Sequence, residues 1–153
     1  ELLEQTFADA DAAHWRIVVG HRNVRSYSRK YHDDDSLLQA LLPTLLAYQV
    51  HFYVSGHSHS LQLIESPEEP VYVIAGGGGA SPRELVPGST DVLKLSIQRL
   101  GFAAIDLSPT HAKVTFVETS GELLSTFGVT EHGFSVARAC LEGAPAEPCV
   151  IPQ

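Results

Sequence analysis

Three histidines stand where their side chains could bind a metal ion: His21, His57 and His59. His21 ends the apolar run Trp15-Arg16-Ile17-Val18-Val19-Gly20-His21, and the other two end Val50-His51-Phe52-Tyr53-Val54-Ser55-Gly56-His57-Ser58-His59. Both runs read as strands that stop at a glycine, where the backbone can leave the sheet. Neutral imidazole is a good ligand for zinc and iron. Alternate side chains share a face on an extended backbone, so His57 and His59 are expected to converge on one metal, or on two adjacent metals if the chain twists after Gly56. A lone His-x-His pair in a polar loop is ordinarily solvent-exposed. The second Gly-His ending upstream is what favours a site over that bland reading.

The elements needed to bring these residues together are legible around them. Two buried strands separated by a helix-length segment predict a strand, a crossover helix and a parallel strand, which places all three histidines at one sheet edge, where open α/β sheets bind ligands. Leu37, Leu38, Leu41, Leu42, Leu45 and Leu46 recur at helical spacing after a cap at Asp35 or Ser36, and Pro43 is expected to kink or restart that helix. Residues 22–35, polar and ending in Asp33-Asp34-Asp35, read as a long surface loop of the kind that carries function or moves. A surface helix over residues 1–13, with Leu3 and Phe7 on its buried stripe, leads into the first strand.

After His59 the pattern becomes that of antiparallel strands. Leu61–Ile64 and Val71–Ala75 flank a Ser66–Pro70 turn, and Gly101–Leu107, Ala112–Glu118 and Glu122–Phe127 form a meander. The run Gly76–Gly79 lacks the Lys-Ser/Thr that a phosphate-cradling loop requires, so it reads as a flexible turn, and residues 80–96 as a loop. Beyond Glu131 periodicity is lost, which divides the chain into a domain over 1–130 and a tail over 131–153.

A net charge of −8, from 18 acidic and 10 basic residues, disfavours nucleic acid and anionic membranes as partners. No apolar run is long enough to span a membrane. The chain has no methionine and opens inside an apparent helix, so a processed chain or cut fragment is expected. Cys140 and Cys149 flank a turn-rich stretch, which suits either a disulfide or a pair of free thiols.

Ile17-Val18-Val19-Gly20-His21, Leu41-Leu42-Pro43-Thr44-Leu45-Leu46 and above all Val50 to Gln62 resemble the C-terminal half of the purple, tartrate-resistant type acid phosphatases, in the calcineurin-like metallophosphoesterase superfamily. Gly101-Phe102-Ala103 and Val114 to Gly121 look like that family's closing strands, so the likeness covers roughly residues 1–130. It implies an α/β class fold, the C-terminal half of a four-layer α/β/β/α sandwich with a dinuclear metal centre of iron with iron, zinc or manganese. In that scheme His21 and His57 bind the exchangeable divalent metal, His59 binds the ferric ion, and His32 contacts phosphate or protonates the leaving group. The remaining ligands would come from a missing N-terminal half, because Asp33 to Asp35 do not match the family's aspartate motifs.

The resemblance further implies hydrolysis of phosphate monoesters by in-line attack on phosphorus, a secreted or lysosomal/vesicular location, and a Cys140–Cys149 disulfide. A fragment of this kind would be almost inactive and would expose an apolar sheet face through which it could self-associate. One departure stands out: Arg22-Asn23 replaces a segment that usually carries proline two residues after the first histidine. It motivates an alternative, a catalytically inactive phosphatase-fold interaction domain. A mononuclear zinc site of the three histidines is a further alternative. His14, His51, His111 and His132 match no motif and read as surface or strand histidines satisfied by solvent.

Overall fold

The alternation of Phe52 and Val54 is realised as a strand in a computed structural model, which describes residues 2–8, 13–130 and 133–135. In chain order the elements are α1 (Leu2–Ala8), β1 (Ile17–Val19), α2 (Asp35–Ala47), β2 (Phe52–Ser55), β3 (Leu61–Glu65), β4 (Val71–Ala75), β5 (Leu93–Ile97), β6 (Gly101–Leu107), β7 (His111–Glu118), β8 (Leu123–Thr130) and β9 (Gly133–Ser135). They form two sheets. The first has the order β1-β2-β4-β3-β5, and the second β6-β7-β8-β9. Strands β1, β2 and β4 run parallel, with α2 crossing over between β1 and β2, while β3 and β5 join antiparallel. The second sheet is an antiparallel meander throughout. Parallel strands followed by a meander is the order predicted from sequence.

Two apolar clusters hold three layers together. Phe52, Leu61, Leu63 and Val73 on the first sheet meet Val114, Phe116, Phe127 and Val129 on the second, forming a sheet-on-sheet core. On the other face Val18, Tyr53, Tyr72 and Ile74 pack with Phe7 of α1 and Leu45 of α2, joined by Leu37, Leu38 and Leu41. The first sheet is therefore covered on both faces. That explains why β4 reads as a continuous apolar run and why β3 and β4 are buried at nearly every position, Gln62 included.

Several expectations need correction. The α2 cap is Asp34, whose Oδ1 accepts from the backbone N–H groups of Ser36 and Leu37. Pro43 does not interrupt α2, because it lies on the exposed side of the helix, where the carbonyl that would have accepted its N–H can turn to water. Part of the supposed loop 80–96 is strand β5, whose Leu95 enters the core. The glycine run is not uniformly flexible. A Cβ on Gly76 would lie 2.8 Å from the Gly56 carbonyl and the His59 amide nitrogen, whereas one on Gly78 would meet nothing within 4 Å. Strand β9 extends the second sheet past residue 131. Cys140 and Cys149 lie outside the described residues.

Candidate functional site

Glycine makes the first part of the site possible. Gly20 passes so close to Tyr53 that any Cβ would overlap the phenol, and Tyr53 Oη donates to the Arg22 carbonyl at 2.9 Å, fixing the chain just beyond His21. Gly20 N–H donates to Val54 O, and Gly56 N–H to His21 O at 3.2 Å, so the ends of β1 and β2 are stitched together. This brings His57 Nδ1 to 3.2 Å from His21 Nε2, with the rings edge to face at 5.1 Å between centroids.

The His57-Ser58-His59 segment is not extended: the chain twists after Gly56, the second of the two arrangements open from sequence. It is a tight turn closed by Ser58 N–H to Gly56 O at 2.5 Å, and both histidines have positive φ, 38° at His57 and 46° at His59. In this left-handed region a residue with a Cβ is strained by about 1 kcal/mol or more. The turn separates the two rings. His57 faces His21, while His59 Nδ1 is 3.3 Å from the Ser81 carbonyl.

The loop from Arg22 to Asp34 is not simply a surface loop, since Asn23, Val24, Ser26 and Ser28 are buried. Arg25 grips Glu69 through Nε (3.0 Å) and Nη2 (2.5 Å) and Asp33 through Nη1 (2.8 Å), and Tyr72 Oη also donates to Glu69 at 2.7 Å. Burial alone would raise the Glu69 carboxyl, but the hydrogen bonds from Arg25 and Tyr72 outweigh it and hold the group below its ordinary value. Buried Gln62 accepts from Tyr27 N–H, and Asn23 Nδ2 donates to Ser55 Oγ at 3.0 Å, tying the loop to β3 and β2. Asn23, part of the departure seen in the sequence, therefore has a structural partner at the end of β2.

A cleft of about 300 Å³ opens beside His57, and its walls include Arg22, Asn23, His32 and Asp34. Arg22 Nη2 lies 2.7 Å from Asp34 Oδ2. His32 is exposed, with Nδ1 2.9 Å from the Asp33 carbonyl, which leaves Nε2 as the nitrogen available for proton exchange. Burial, followed by the neighbouring His21, Arg22 and His59, lowers the pKa of His57 and favours its neutral, metal-binding form. Tyr31, which no sequence signal singled out, lies against His57 with 4.2 Å between ring centroids. His51 is not satisfied by solvent. Its Nδ1 accepts from Arg16 N–H at 3.1 Å and its ring packs edge-on against Trp15.

Two imidazole nitrogens on one tetrahedral cation at 2.0–2.1 Å would be about 3.3 Å apart. The His21–His57 separation fits two such ligands, and it equally fits one N–H···N hydrogen bond. Among the described residues no group of three His, Cys, Asp or Glu side chains is placed to hold a metal ion. The pair therefore fits part of a metal centre and not a whole one.

A mixed sheet with paired histidines at its parallel edge, packed on an antiparallel meander, defines a metallophosphoesterase-type fold. No protein-family profile matches the chain. It is 33% identical over 116 residues to purple acid phosphatase 4 of Arabidopsis thaliana and 30% identical over 115 residues to tartrate-resistant acid phosphatase type 5 of Sus scrofa. These alignments cover 74% and 71% of the chain and 34% of each relative. The chain is related to the purple acid phosphatases and corresponds to their C-terminal region. It spans about a third of the length of the curated relatives it matches. Among solved structures, a purple acid phosphatase from yellow lupin superposes with a TM-score of 0.70 at 19% identity, over 84% of this chain and 27% of the lupin chain. GAP50, described as the anchor in the inner membrane complex of Plasmodium, superposes at 0.72 with 23% identity, over 90% of this chain and 41% of that one.

Proposed function

We propose that the protein carrying this chain hydrolyses phosphate monoesters at a dinuclear metal centre to which His21, His57 and His59 contribute. The observation behind this reading is the 3.2 Å approach of His21 and His57 at the parallel sheet edge, in a relative of acid phosphatases. His21 and His57 would hold one divalent cation, and His59, turned towards Ser81, a second, ferric one. Iron with iron, zinc or manganese would supply Lewis acidity and an activated water at this edge. The chain's own residues do the rest. His57 stays neutral as a ligand, His32 gives a proton from Nε2 to the leaving-group oxygen, and the Arg25–Glu69–Asp33 network holds the loop that presents His32.

Ligands outside these 153 residues complete the centre. Without a bridging carboxylate two cations a few ångströms apart repel strongly, so this chain alone is expected to bind at most one and to turn over very little. A protein of this kind acts in a secreted or lysosomal/vesicular setting. Among the described residues no helix is long and apolar enough to cross a membrane. Self-association of the separate chain would use exposed apolar residues of the second sheet, such as Phe102, Leu107 and Leu123.

The test is an aryl phosphate assay of the full-length protein and of this chain, with and without iron and zinc, alongside calorimetric zinc titration. Full-length turnover that falls at least a hundredfold in His57→Ala is expected, with weak zinc binding by the separate chain. A full-length protein that binds metal without hydrolysing phosphate esters would favour the second reading, a phosphatase-fold interaction domain. That reading draws on Arg22-Asn23 and on the incomplete ligand set among the described residues.

A further inference from the structure

In a chain of net charge −8, three cations gather beside the histidine edge: Arg29, Lys30 and Arg83 line a second cleft of about 380 Å³, whose one carboxylate is Glu84. Glu84 pairs with Arg29 at 2.9 Å. Among the described residues Lys30 and Arg83 have no carboxylate in ion-pair reach, and the buried Arg83 Nε has no hydrogen-bond partner. Both side chains line the cleft without a carboxylate partner among the described residues, so an anion entering it would meet uncompensated positive charge. The cluster is built in by the fold. Ser28 and Leu85 form an antiparallel bridge, Arg29 N–H donates to Glu84 O, and Arg83 N–H donates to His59 O at 3.0 Å.

The second cleft adjoins the first. Lys30 lines both, and Tyr31 joins them: its ring is 4.2 Å from the His57 ring, 5.1 Å from Lys30 Nζ and 5.8 Å from Arg83 Cζ. The Tyr31 ring thus lies next to both cations and to His57. The first cleft cannot play the same part, because its Arg22 is held by Asp34 and its wall carries Asp33, Asp34 and Asp35.

We propose that Lys30 and Arg83 form a second anion subsite, so that the preferred substrates are phosphate esters bearing another phosphate or comparably charged group beyond the scissile one. This rests on the phosphatase reading for turnover, while binding of the second anionic group does not depend on it. Guanidinium and ammonium groups recognise phosphate by charge-assisted hydrogen bonds, and the neighbouring Tyr31 ring offers an apolar surface for the part of the substrate between the two anions.

The test compares phenyl phosphate with hydroquinone bisphosphate on the full-length protein. The wild type should favour the bisphosphate by about tenfold or more in kcat/KM, as expected for a charge-assisted contact. That ratio should fall towards about two, the statistical value for two equivalent esters, in Lys30→Ala/Arg83→Ala and in 0.5 M salt, and be kept in the charge-preserving Lys30→Arg/Arg83→Lys. No preference in the wild type, or an unchanged preference in the alanine double variant, would overturn the subsite. If neither compound is hydrolysed the phosphatase reading fails, and calorimetry in a metal chelator then decides the subsite separately. Tighter binding of the bisphosphate that is lost in the double variant supports it, and equal binding of both compounds by the wild type rules it out.

Discussion

The two sheets differ in what their strand ends carry. Strands β6, β7 and β8 are seven or eight residues long, pair antiparallel and end in turns such as Ser108–His111 and Glu118–Glu122, closed by their own hydrogen bonds. Strands β1 and β2 have three and four residues, and their ends open into segments that bear His21, His57 and the loop leading to His32. The long sheet supplies buried apolar surface, while the short parallel strands supply placement. Local strain is seen at the second kind of end, where the fixed backbone of β1, β2 and β4 can hold it.

The largest expected effect tests the stabilising half of this contrast. Phe116, fully buried against Phe127 in the sheet-on-sheet core, should cost about 3–5 kcal/mol on truncation to alanine, read as a lower urea midpoint. A change below about 1 kcal/mol would mean that the two sheets do not share one core. A methyl group at Gly76 attacks the placing half. It would push on the backbone of Gly56 and His59, so Gly76→Ala should cost about 2 kcal/mol and, on the phosphatase reading, lower turnover of the full-length protein more than tenfold.

Arg25→Ala comes next, at about 2 kcal/mol, because it leaves Glu69 with only the Tyr72 hydroxyl as a partner inside the fold and takes away the Asp33 contact as well. The pH dependence sharpens this expectation. Glu69 has a depressed pKa, so its contribution is present above its ordinary value of 4.5 and is lost as pH falls below it. Thermal melts between pH 7 and 3 should therefore show a smaller acid-induced drop in Arg25→Ala than in the wild type. Parallel melting curves for the two proteins would remove Glu69 from the account of acid stability. Smallest of all, Gly78→Ala should change the melting point hardly at all, since its methyl group meets nothing.

Much of this architecture is local and could be read from the sequence. Gly20-His21 and Gly56-His57 mark strand ends, and the leucines of α2 mark the crossover that makes β1 and β2 parallel. Strand β5 shows the limit of local reading. Leu93, Leu95 and Ile97 alternate as a strand should, but Pro82, Pro87 and Gly88 just upstream spread a loop assignment over them. Arg25 with Glu69, Tyr31 with His57 and Arg83 with Lys30 depend on long-range or side-chain packing that no spacing rule encodes. The same holds for Asn23, which looked like a lost proline and turned out to be a tether to Ser55. At Gly76 the glycine signal was visible, but its meaning was the close approach of a neighbouring strand end and not flexibility.

The left-handed backbone at His57 and His59 has a consequence for how such a site is inherited. Glycine sits in that region more easily than any other residue, so His57→Gly would relieve strain even as it removes a proposed ligand. Loss of the proposed ligand would thus relieve backbone strain at that position, and on the phosphatase reading selection for turnover would oppose it. A lineage released from that selection would be expected to drift towards a stable, silent protein of the same shape.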